Sequence, residues 1–548
     1  MTVAYEQLRI SAGVLRRLPA VLARYGIPLG LMTAVAVGLE WVRFGMRTPS
    51  LVDDWFGITY APRAAHALVH GHYGSSPVDV AGRYRPAYTA IWNYAQWHLL
   101  GNPSIDTAAV WGVLRASLFL IAIWVLATWV VGRRATAAHP LVWLAPLAVA
   151  LTPELAVDLT RHGPADPMMV AGLIVGLALI GGGARVLLHP GGRRRNRAIA
   201  AVAVGYLIYL IGVYSKEASI CVLVFVPFFL KWLDPQFKAD IRGSRVGRYL
   251  VPTLAVMLVV PLVHVAAHLV RTVVTGENPY PNAAFSLGTK VLAAVVLPLV
   301  GAPGPLGTFL WLAGAPAALA FTVLVFRRQD PDAWLLAGVL TTGFVMSAFS
   351  LARGDTPSRY YLPWVVAVAV VAIRALAETN AALQIAAAIV VAGIALTGTR
   401  DAIANWARTE RSGSTAVELT KSVVAAGCPM YLANFDVERR VAIPRLLSFA
   451  HATELQSCAN TSRTAYALSW KSEPLPLDFA ALCRSKWQKV TLRDRVSMYQ
   501  CESFTAGSIP DQDVASGSPA VRVVRLHLPE REPDPETFNR PALNGQSG

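Results

Sequence analysis

Charged residues are scarce in this sequence. Of its 548 residues, 15% are charged and 54% are hydrophobic, and the mean hydropathy is +0.45. Soluble domains carry roughly a quarter charged residues, so this composition excludes a soluble enzyme of the ordinary kind. It predicts a polytopic membrane protein whose apolar residues lie in membrane spans.

Two other features are missing. No repeat with a period of 34 residues occurs, which excludes a tetratricopeptide array. No RNA- or DNA-binding signature accompanies the net charge of +16, so nucleic acid is not an expected partner. Residues 1–398 carry 31 Lys and Arg against 17 Asp and Glu, whereas residues 399–548 carry 18 against 16. The basic excess therefore belongs to the loops of the hydrophobic part, as the positive-inside rule expects.

Cysteine is rare, with five in the chain. Cys221 lies in an apolar run and is expected to be inert packing. The other four fall in the polar C-terminal region, at Cys428, Cys458, Cys483 and Cys501. This even count predicts two disulfides in an oxidising compartment, with three pairings open. Residues 1–26 lack a short apolar core with a small-residue cleavage site, which predicts a cytoplasmic lead-in rather than a signal peptide.

Long apolar runs predict about eleven membrane spans. They cover residues 27–44, 108–131, 140–155, 168–188, 198–214, 218–232, 249–270, 309–326, 334–351, 362–377 and 381–397. The shorter run 287–300 fits a re-entrant or interfacial helix as well as a span. An odd total number of spans, which puts the two termini on opposite sides of the membrane, favours a segment that does not cross. Loop charges then place the N-terminus in the cytoplasm and the C-terminus outside.

The predicted domains follow from these spans. Residues 1–398 form an all-α polytopic membrane domain, in which residues 47–107 are a first external loop with interfacial helices at 61–69 and 88–100. Residues 399–529 are expected to form a small extracytoplasmic α/β domain, with strands near 429–435 and 490–492 and helices near 415–426 and 479–487. Residues 530–548 are predicted to be disordered.

Ionisable residues gather at span ends that face one compartment. A single Arg or Lys at a span end usually snorkels to water, but paired acids and bases from four separate spans are not explained in this way and predict one site. The four groups are Asp53 with Asp54; Arg161, His162 and Asp166; Lys216 with Glu217; and Arg353, Asp355, Arg359, Tyr360 and Tyr361. His264, His268 and Arg271 form a candidate fifth group.

Four sequence motifs carry a family resemblance. VDDWFG after the first span, GRYRPAYTAIW before LLGNPS, YSKEAS and SRYYLP resemble the membrane O-mannosyltransferases, especially their transmembrane and tetratricopeptide-containing branch. More broadly, they resemble the GT-C class of polyprenyl-phosphate-sugar glycosyltransferases. The resemblance covers roughly residues 25–375. It departs from that branch in lacking the repeats, and residues 399–548 have no counterpart in it.

The resemblance implies an inverting glycosyltransferase in the cell membrane, hexosyl- or pentosyl-specific, acting at the extracytoplasmic face. Its donor would be a polyprenyl-phosphate-linked sugar, and its acceptor a protein Ser or Thr or a cell-envelope glycan. Asp53 would be the general base, with Asp54 the second candidate. The expected donor phosphate ligands are Arg359, Lys216, Arg161, Arg271 and His268. The expected supporting residues are Glu217, Asp166, Tyr360 and Arg85.

Other functions remain open from the sequence. His66, His70 and His72 are close in sequence, and His264 with His268 has a zinc-like spacing, but no third ligand stands at a recognisable distance. No cofactor is therefore expected. A transporter or lipid-carrier flippase is the main alternative, yet no inverted repeat occurs and Arg115 is the one clear mid-span charge. An inactive relative serving as a scaffold is a third reading.

Overall fold

The computed structural model describes part of the chain, mainly helices, strands and adjoining turns. The described residues are 26–44, 70, 85–89, 91, 95, 99, 105–131, 140–150, 159, 165–188, 195–233, 253, 255–267, 270, 314–351, 358–390, 392–393, 430–433, 464–469, 487–492, 496–501, 513–517 and 522–527. The strands are described at the level of the backbone.

Eleven α-helical stretches of nine residues or more are described before residue 400. They are α1 (Ile27–Phe44), α2 (Ile105–Val131), α3 (Pro140–Ala150), α4 (Asp166–Leu188), α5 (Arg195–Val213), α6 (Phe225–Leu233), α7 (Ala255–Ala267), α8 (Ala315–Arg327), α9 (Asp332–Leu351), α10 (Leu362–Leu376) and α11 (Ala381–Val390). Two 3₁₀ helices, Glu217–Val224 and Ser358–Tyr361, directly precede α6 and α10.

Four of these helices are long and apolar enough to cross a membrane. They contain the stretches Val110–Val131, Asp166–Leu188, Arg195–Val213 and Asp332–Ser350. The chain is thus an integral membrane protein by the length and composition of its helices. Each of the eleven predicted spans contains described helical residues, whereas the number of crossings stays a prediction. The run 287–300 lies outside the described residues.

Glycines bring α4 and α5 into backbone contact. A Cβ placed on Gly172 would lie 2.6 Å from the Cα of Gly212, and one on Gly176 would lie 2.7 Å from the backbone nitrogen of Tyr209. Small residues at such positions allow helix backbones to approach closely in a membrane. The beginning of α4, at Asp166, is thereby held beside the end of α5.

The motif YSKEAS forms a break between α5 and the next helix. Lys216 has an extended backbone, with φ −160° and ψ 149°. The hydroxyl of Ser215 donates to the Ile211 carbonyl at 2.6 Å, and that of Ser219 donates to the Val213 carbonyl at 2.9 Å. These two serines satisfy carbonyls at the end of α5, where a helix leaves acceptors unpaired. The break places Lys216 and Glu217 at the same end as Asp166.

The other end of the same helices carries a second set of charges. Arg374, which is 1% exposed on α10, donates to the carbonyl of Val131 at the end of α2. Its guanidinium also lies 3.4 Å from Glu378 and 3.9 Å from Asp332. Asp332 in turn accepts a hydrogen bond from the Trp232 indole at 3.2 Å. We call these residues the Arg374 network; it joins the ends of four helical segments.

Residues 430–527 contain a six-stranded mixed sheet. Its strands are β1 (Met430–Ala433), β2 (Thr464–Ser469), β3 (Trp487–Leu492), β4 (Val496–Cys501), β5 (Asp513–Gly517) and β6 (Arg522–His527), in the order β3-β4-β1-β2-β6-β5. β1 runs parallel to β2 and β4, and the remaining pairs are antiparallel.

The sequence predictions for this region have mixed outcomes. Strands lie where two were predicted, in β1 and β3, and Trp487 begins a strand instead of ending a helix. The remainder of the predicted helix 479–487, the helix 415–426 and the tail 530–548 lie outside the described residues, as do three of the four cysteines. The extracytoplasmic α/β domain and the two disulfides therefore stay predictions.

Candidate active site

A buried ion pair joins the beginning of α4 to the break after α5. The Nζ atom of Lys216 lies 2.5 Å from Oδ1 of Asp166, and the two side chains are 5% and 2% exposed. The other carboxylate oxygen of Asp166, Oδ2, is buried and has no hydrogen-bond partner within the described part of the chain. A buried carboxylate oxygen without a partner is costly, so this atom is a candidate acceptor for a ligand's hydroxyl or N–H group.

A second ion pair brings in the first loop. Arg85 meets Glu217 with both ends of its guanidinium fork, at 3.1 Å from Nε to Oε1 and 3.4 Å from Nη2 to Oε2. The backbone N–H of Ala87 donates to the carbonyl of Tyr214 at 3.3 Å. Such a bidentate pair fixes geometry as well as charge. Residues 85–89 are thus fastened to the break that holds Lys216.

Tyr360 supplies a third side of the Lys216 environment. It belongs to the 3₁₀ helix Ser358–Tyr361 ahead of α10, and its ring centroid lies 4.7 Å from the Lys216 ammonium. This cation–π contact adds to the attraction of Asp166 and holds the ammonium between a carboxylate and a ring face. We call Arg85, Asp166, Lys216, Glu217 and Tyr360 the Lys216 cluster.

An aromatic group that the sequence analysis did not single out packs beside this cluster. Tyr88 and Trp111 form one buried apolar group with Ala165 and Met168, the residues on either side of the α4 start. In the stretch 88–100, where the sequence predicts an interfacial helix, Tyr88, Ile91 and Ala95 share one packed face, whereas Leu99 is 74% exposed. That face has the spacing i, i+3, i+7, the signal that identifies it in the sequence.

His264 of the candidate fifth group lies next to the break. Its imidazole meets the Tyr214 ring edge-on, with centroids 4.9 Å apart, and the residue is 4% exposed. Since the Tyr214 carbonyl holds Ala87, His264 supports the segment that carries Arg85. No three His, Cys, Asp or Glu residues among those described lie close enough to hold a metal, and His268 lies outside them.

An apolar cavity of about 80 Å³ lies between the helices that carry the Lys216 cluster. Val170 lines it one turn after Asp166, Val222 lines it from the 3₁₀ helix that follows Lys216, and Pro363 lines it just after Tyr360. The rest of its lining is apolar apart from the hydroxyl of Thr342. The charged cluster therefore adjoins space that suits apolar groups.

Several predicted site residues cannot be compared with these contacts. Of Arg359, the structure describes the backbone, in the turn before α10. Those outside the described residues are Asp53, Asp54, Arg161, His162, His268, Arg271, Arg353 and Asp355. The structure thus brings together Arg85, Asp166, Lys216, Glu217 and Tyr360, and the roles predicted for all of these residues stay predictions.

Comparison with known proteins yields structural similarity alone. No protein-family model and no curated protein sequence matches the chain. Solved structures similar to it include ArnT from Cupriavidus metallidurans bound to undecaprenyl phosphate, with 15% identity, a TM-score of 0.47 and coverage of 90% of this chain and 97% of that chain. The apo state of the same ArnT has 15% identity, a TM-score of 0.46 and the same coverage. The Archaeoglobus fulgidus oligosaccharyltransferase in complex with Zn and sulfate has 11% identity, a TM-score of 0.44 and coverage of 79% and 62%. Similarity at this level does not assign the chain to a family.

Proposed function

We propose that this protein is an inverting membrane glycosyltransferase of the GT-C type. It moves a sugar from a polyprenyl-phosphate donor to a protein or cell-envelope glycan acceptor at the extracytoplasmic face. The observation that carries the proposal is the Lys216 cluster, in which three separated chain segments bring charged side chains, and a fourth brings the Tyr360 ring, to one end of the apolar helices. Ionisable groups buried in a membrane protein are costly and usually serve a function.

The reaction assigns one task to each kind of group. The acceptor hydroxyl oxygen attacks the anomeric carbon of the sugar, its proton passes to the carboxylate of Asp53, and the bond from that carbon to the phosphate oxygen breaks. The polyprenyl phosphate leaves with the bonding electrons and needs cations rather than a general acid. Arg359, Lys216 and Arg161 are proposed to supply them, since guanidinium groups match phosphate oxygens in pairs. Direct attack inverts the anomeric configuration.

The ion pair geometry refines the part proposed for Lys216. An ammonium has three donors, so contact with Asp166 is compatible with a further contact to a phosphate oxygen. Asp166 holds Lys216 in place and, through Oδ2, is positioned to accept a hydrogen bond from the acceptor. Asp54 stands as the second candidate for the base, and Tyr360 and Glu217 orient the cations that they contact.

The Arg374 network weighs against the transporter alternative. Alternating access needs the helices to open toward both sides of the membrane. At the end opposite the Lys216 cluster, Arg374 ties α10 to the end of α2, and the Trp129 and Trp232 rings pack edge-on with centroids 5.2 Å apart. These contacts tie the helices together at that end, which suits an enzyme that receives both substrates from one side.

The test uses the full-length protein in lipid nanodiscs with a panel of polyprenyl-phosphate sugars and envelope-derived acceptors. We expect Asp53→Asn to abolish transfer while donor binding persists, and Arg359→Gln to weaken donor binding. Arg328→Gln is the matched control, because Arg328 is an exposed cation at the opposite end and its loss should change neither quantity.

Three outcomes overturn the proposal. Unchanged transfer by Asp53→Asn removes the proposed base. Failure of the unaltered protein to bind any polyprenyl-phosphate sugar removes the donor class. Movement of labelled polyprenyl lipid across the bilayer without sugar transfer supports the flippase instead.

A further inference from the structure

We propose that Tyr209 is a positioning residue: its hydroxyl replaces the backbone N–H that Pro261 lacks, and it thereby fixes a bend in α7 that holds His264 against the break after α5. Tyr209 lies on α5, and Pro261 lies inside α7. The structural part of this inference does not depend on the reaction, whereas its catalytic part rests on the proposed function.

Pro261 removes one hydrogen bond from the interior of α7. In an α-helix the carbonyl of Met257 pairs with the N–H four residues later, and the residue at that position is Pro261, which has no N–H. The proline ring also displaces the carbonyl four residues before it, and this bends the helix. Met257 and Pro261 are both buried, so the Met257 carbonyl needs a partner from the protein itself.

The hydroxyl of Tyr209 is that partner. It donates to the Met257 carbonyl oxygen at 3.0 Å, and Tyr209 is 0% exposed. The backbone of Tyr209 is held against α4, since a Cβ on Gly176 would lie 2.7 Å from its nitrogen. A proline inside a membrane helix is tolerated when a neighbouring helix satisfies the carbonyl that it frees. Tyr209 provides this from α5.

The choice of acceptor distinguishes this role from ordinary packing. A buried Tyr hydroxyl usually finds some hydrogen-bond partner, but most carbonyls inside an α-helix are already paired with an N–H of their own helix. Tyr209 meets the carbonyl whose usual donor is missing. A general need for an acceptor does not select that carbonyl, whereas the position of Pro261 does.

The bend lies just before the part of α7 that reaches the site. His264 follows Pro261 by three residues and is 4% exposed, and its imidazole meets the Tyr214 ring with centroids 4.9 Å apart. The carbonyl of Tyr214 accepts the N–H of Ala87. Straightening a bend of about 20° would move His264 by about 2 Å, which is enough to separate the two rings.

The first measurement is a double-mutant cycle of Tyr209→Phe and Pro261→Ala in the full-length protein, unfolded in mixed micelles. We expect Tyr209→Phe alone to raise the unfolding equilibrium constant by about tenfold to a hundredfold, because the buried Met257 carbonyl loses its donor. In the presence of Pro261→Ala, which restores the backbone N–H, Tyr209→Phe should have little effect. Pro146 lies inside α3, so Pro146→Ala is the matched control and should leave the effect of Tyr209→Phe unchanged.

The second measurement separates positioning from stability. The combined variant has the missing N–H but lacks the proline bend, so it should stay folded while His264 moves away from Tyr214. We expect hydrogen exchange of residues 87–89, measured by mass spectrometry in nanodiscs, to be about tenfold faster than in the unaltered protein. The kcat of sugar transfer should also fall about tenfold, whereas Pro146→Ala should change neither quantity.

The opposite results overturn the inference part by part. An equal effect of Tyr209→Phe with and without Pro261→Ala would mean that the hydroxyl does not replace the missing N–H. Unchanged exchange of residues 87–89 in the combined variant would refute the role of the bend, and unchanged kcat alongside faster exchange would refute the catalytic part. Absence of sugar transfer in the unaltered protein would refute the proposed function alone, because the unfolding and exchange measurements do not depend on it.

Discussion

The pair formed by Lys216 and Asp166 allows a quantitative test of the site. Its side chains are 5% and 2% exposed, so removing one partner leaves the other charge buried without its opposite charge. Breaking a buried pair in this way costs about 3–5 kcal/mol, whereas replacing both partners by apolar residues is often neutral. We therefore expect Lys216→Met and Asp166→Leu to lower the free energy of unfolding by about 3–5 kcal/mol each, and the double variant to lose far less than the sum.

The assay is a double-mutant cycle on the full-length protein, unfolded reversibly in mixed micelles and followed by circular dichroism. Arg328 and Glu378 provide the reference, since Arg328 is 63% exposed and Arg328→Ala should cost at most about 1 kcal/mol. Additive effects of the two buried substitutions would refute the reasoning, because they would mean that Lys216 and Asp166 do not compensate each other.

Three further variants test the packing and the contacts around the site. Gly212→Leu should prevent folding or lower the unfolding temperature by many degrees, measured by thermal denaturation, because even a Cβ there would lie 2.6 Å from the backbone nitrogen of the neighbouring helix. Arg85→Glu should lose sugar transfer, and the exchange Arg85→Glu with Glu217→Arg should recover part of it if the pair mainly fastens the loop; no recovery would assign Arg85 a direct contact with substrate. Arg374→Gln should lower the unfolding free energy by about 3 kcal/mol in chemical denaturation while leaving donor binding unchanged; weakened binding would contradict the separation of the two ends.

Hydrophobic runs predicted the helices well because the membrane imposes one simple rule on them. Predicted spans 27–44 and 334–351 correspond to α1 and to most of α9. The span predicted at 218–232 is short for an α-helix, and the structure resolves this with a 3₁₀ helix whose rise per residue is greater. A hydrophobic run in the sequence shows how many residues are apolar. It does not show the rise per residue along the helix axis, which differs between an α-helix and a 3₁₀ helix.

The gathering of ionisable residues was predictable, whereas their pairing was not. Span ends on one side of a membrane necessarily share a compartment, so Asp166 and Lys216 were expected in one region. The sequence analysis grouped Asp166 with Arg161 and gave Lys216 to the donor phosphate. The observed partners lie 50 residues apart in one pair and 132 in the other, and their contact depends on the close approach of α4 and α5 at glycines. Such distances follow from packing, which span ends alone do not specify.

Arg115 bears on the choice between enzyme and transporter. Counted along α2 it is a mid-span charge, the feature expected of a residue that lines a transport path. Trp111 stands one turn earlier, about 6 Å along the axis, and packs against Ala165 and Met168 on either side of Asp166. Arg115 is 2% exposed, so it is a buried cation one turn below the Lys216 cluster and far from the Arg374 network. The charged side chains of the described helices therefore lie mainly near two ends. Between these ends lies an apolar cavity rather than a polar path. This distribution is the one that chemistry at one face of the membrane requires.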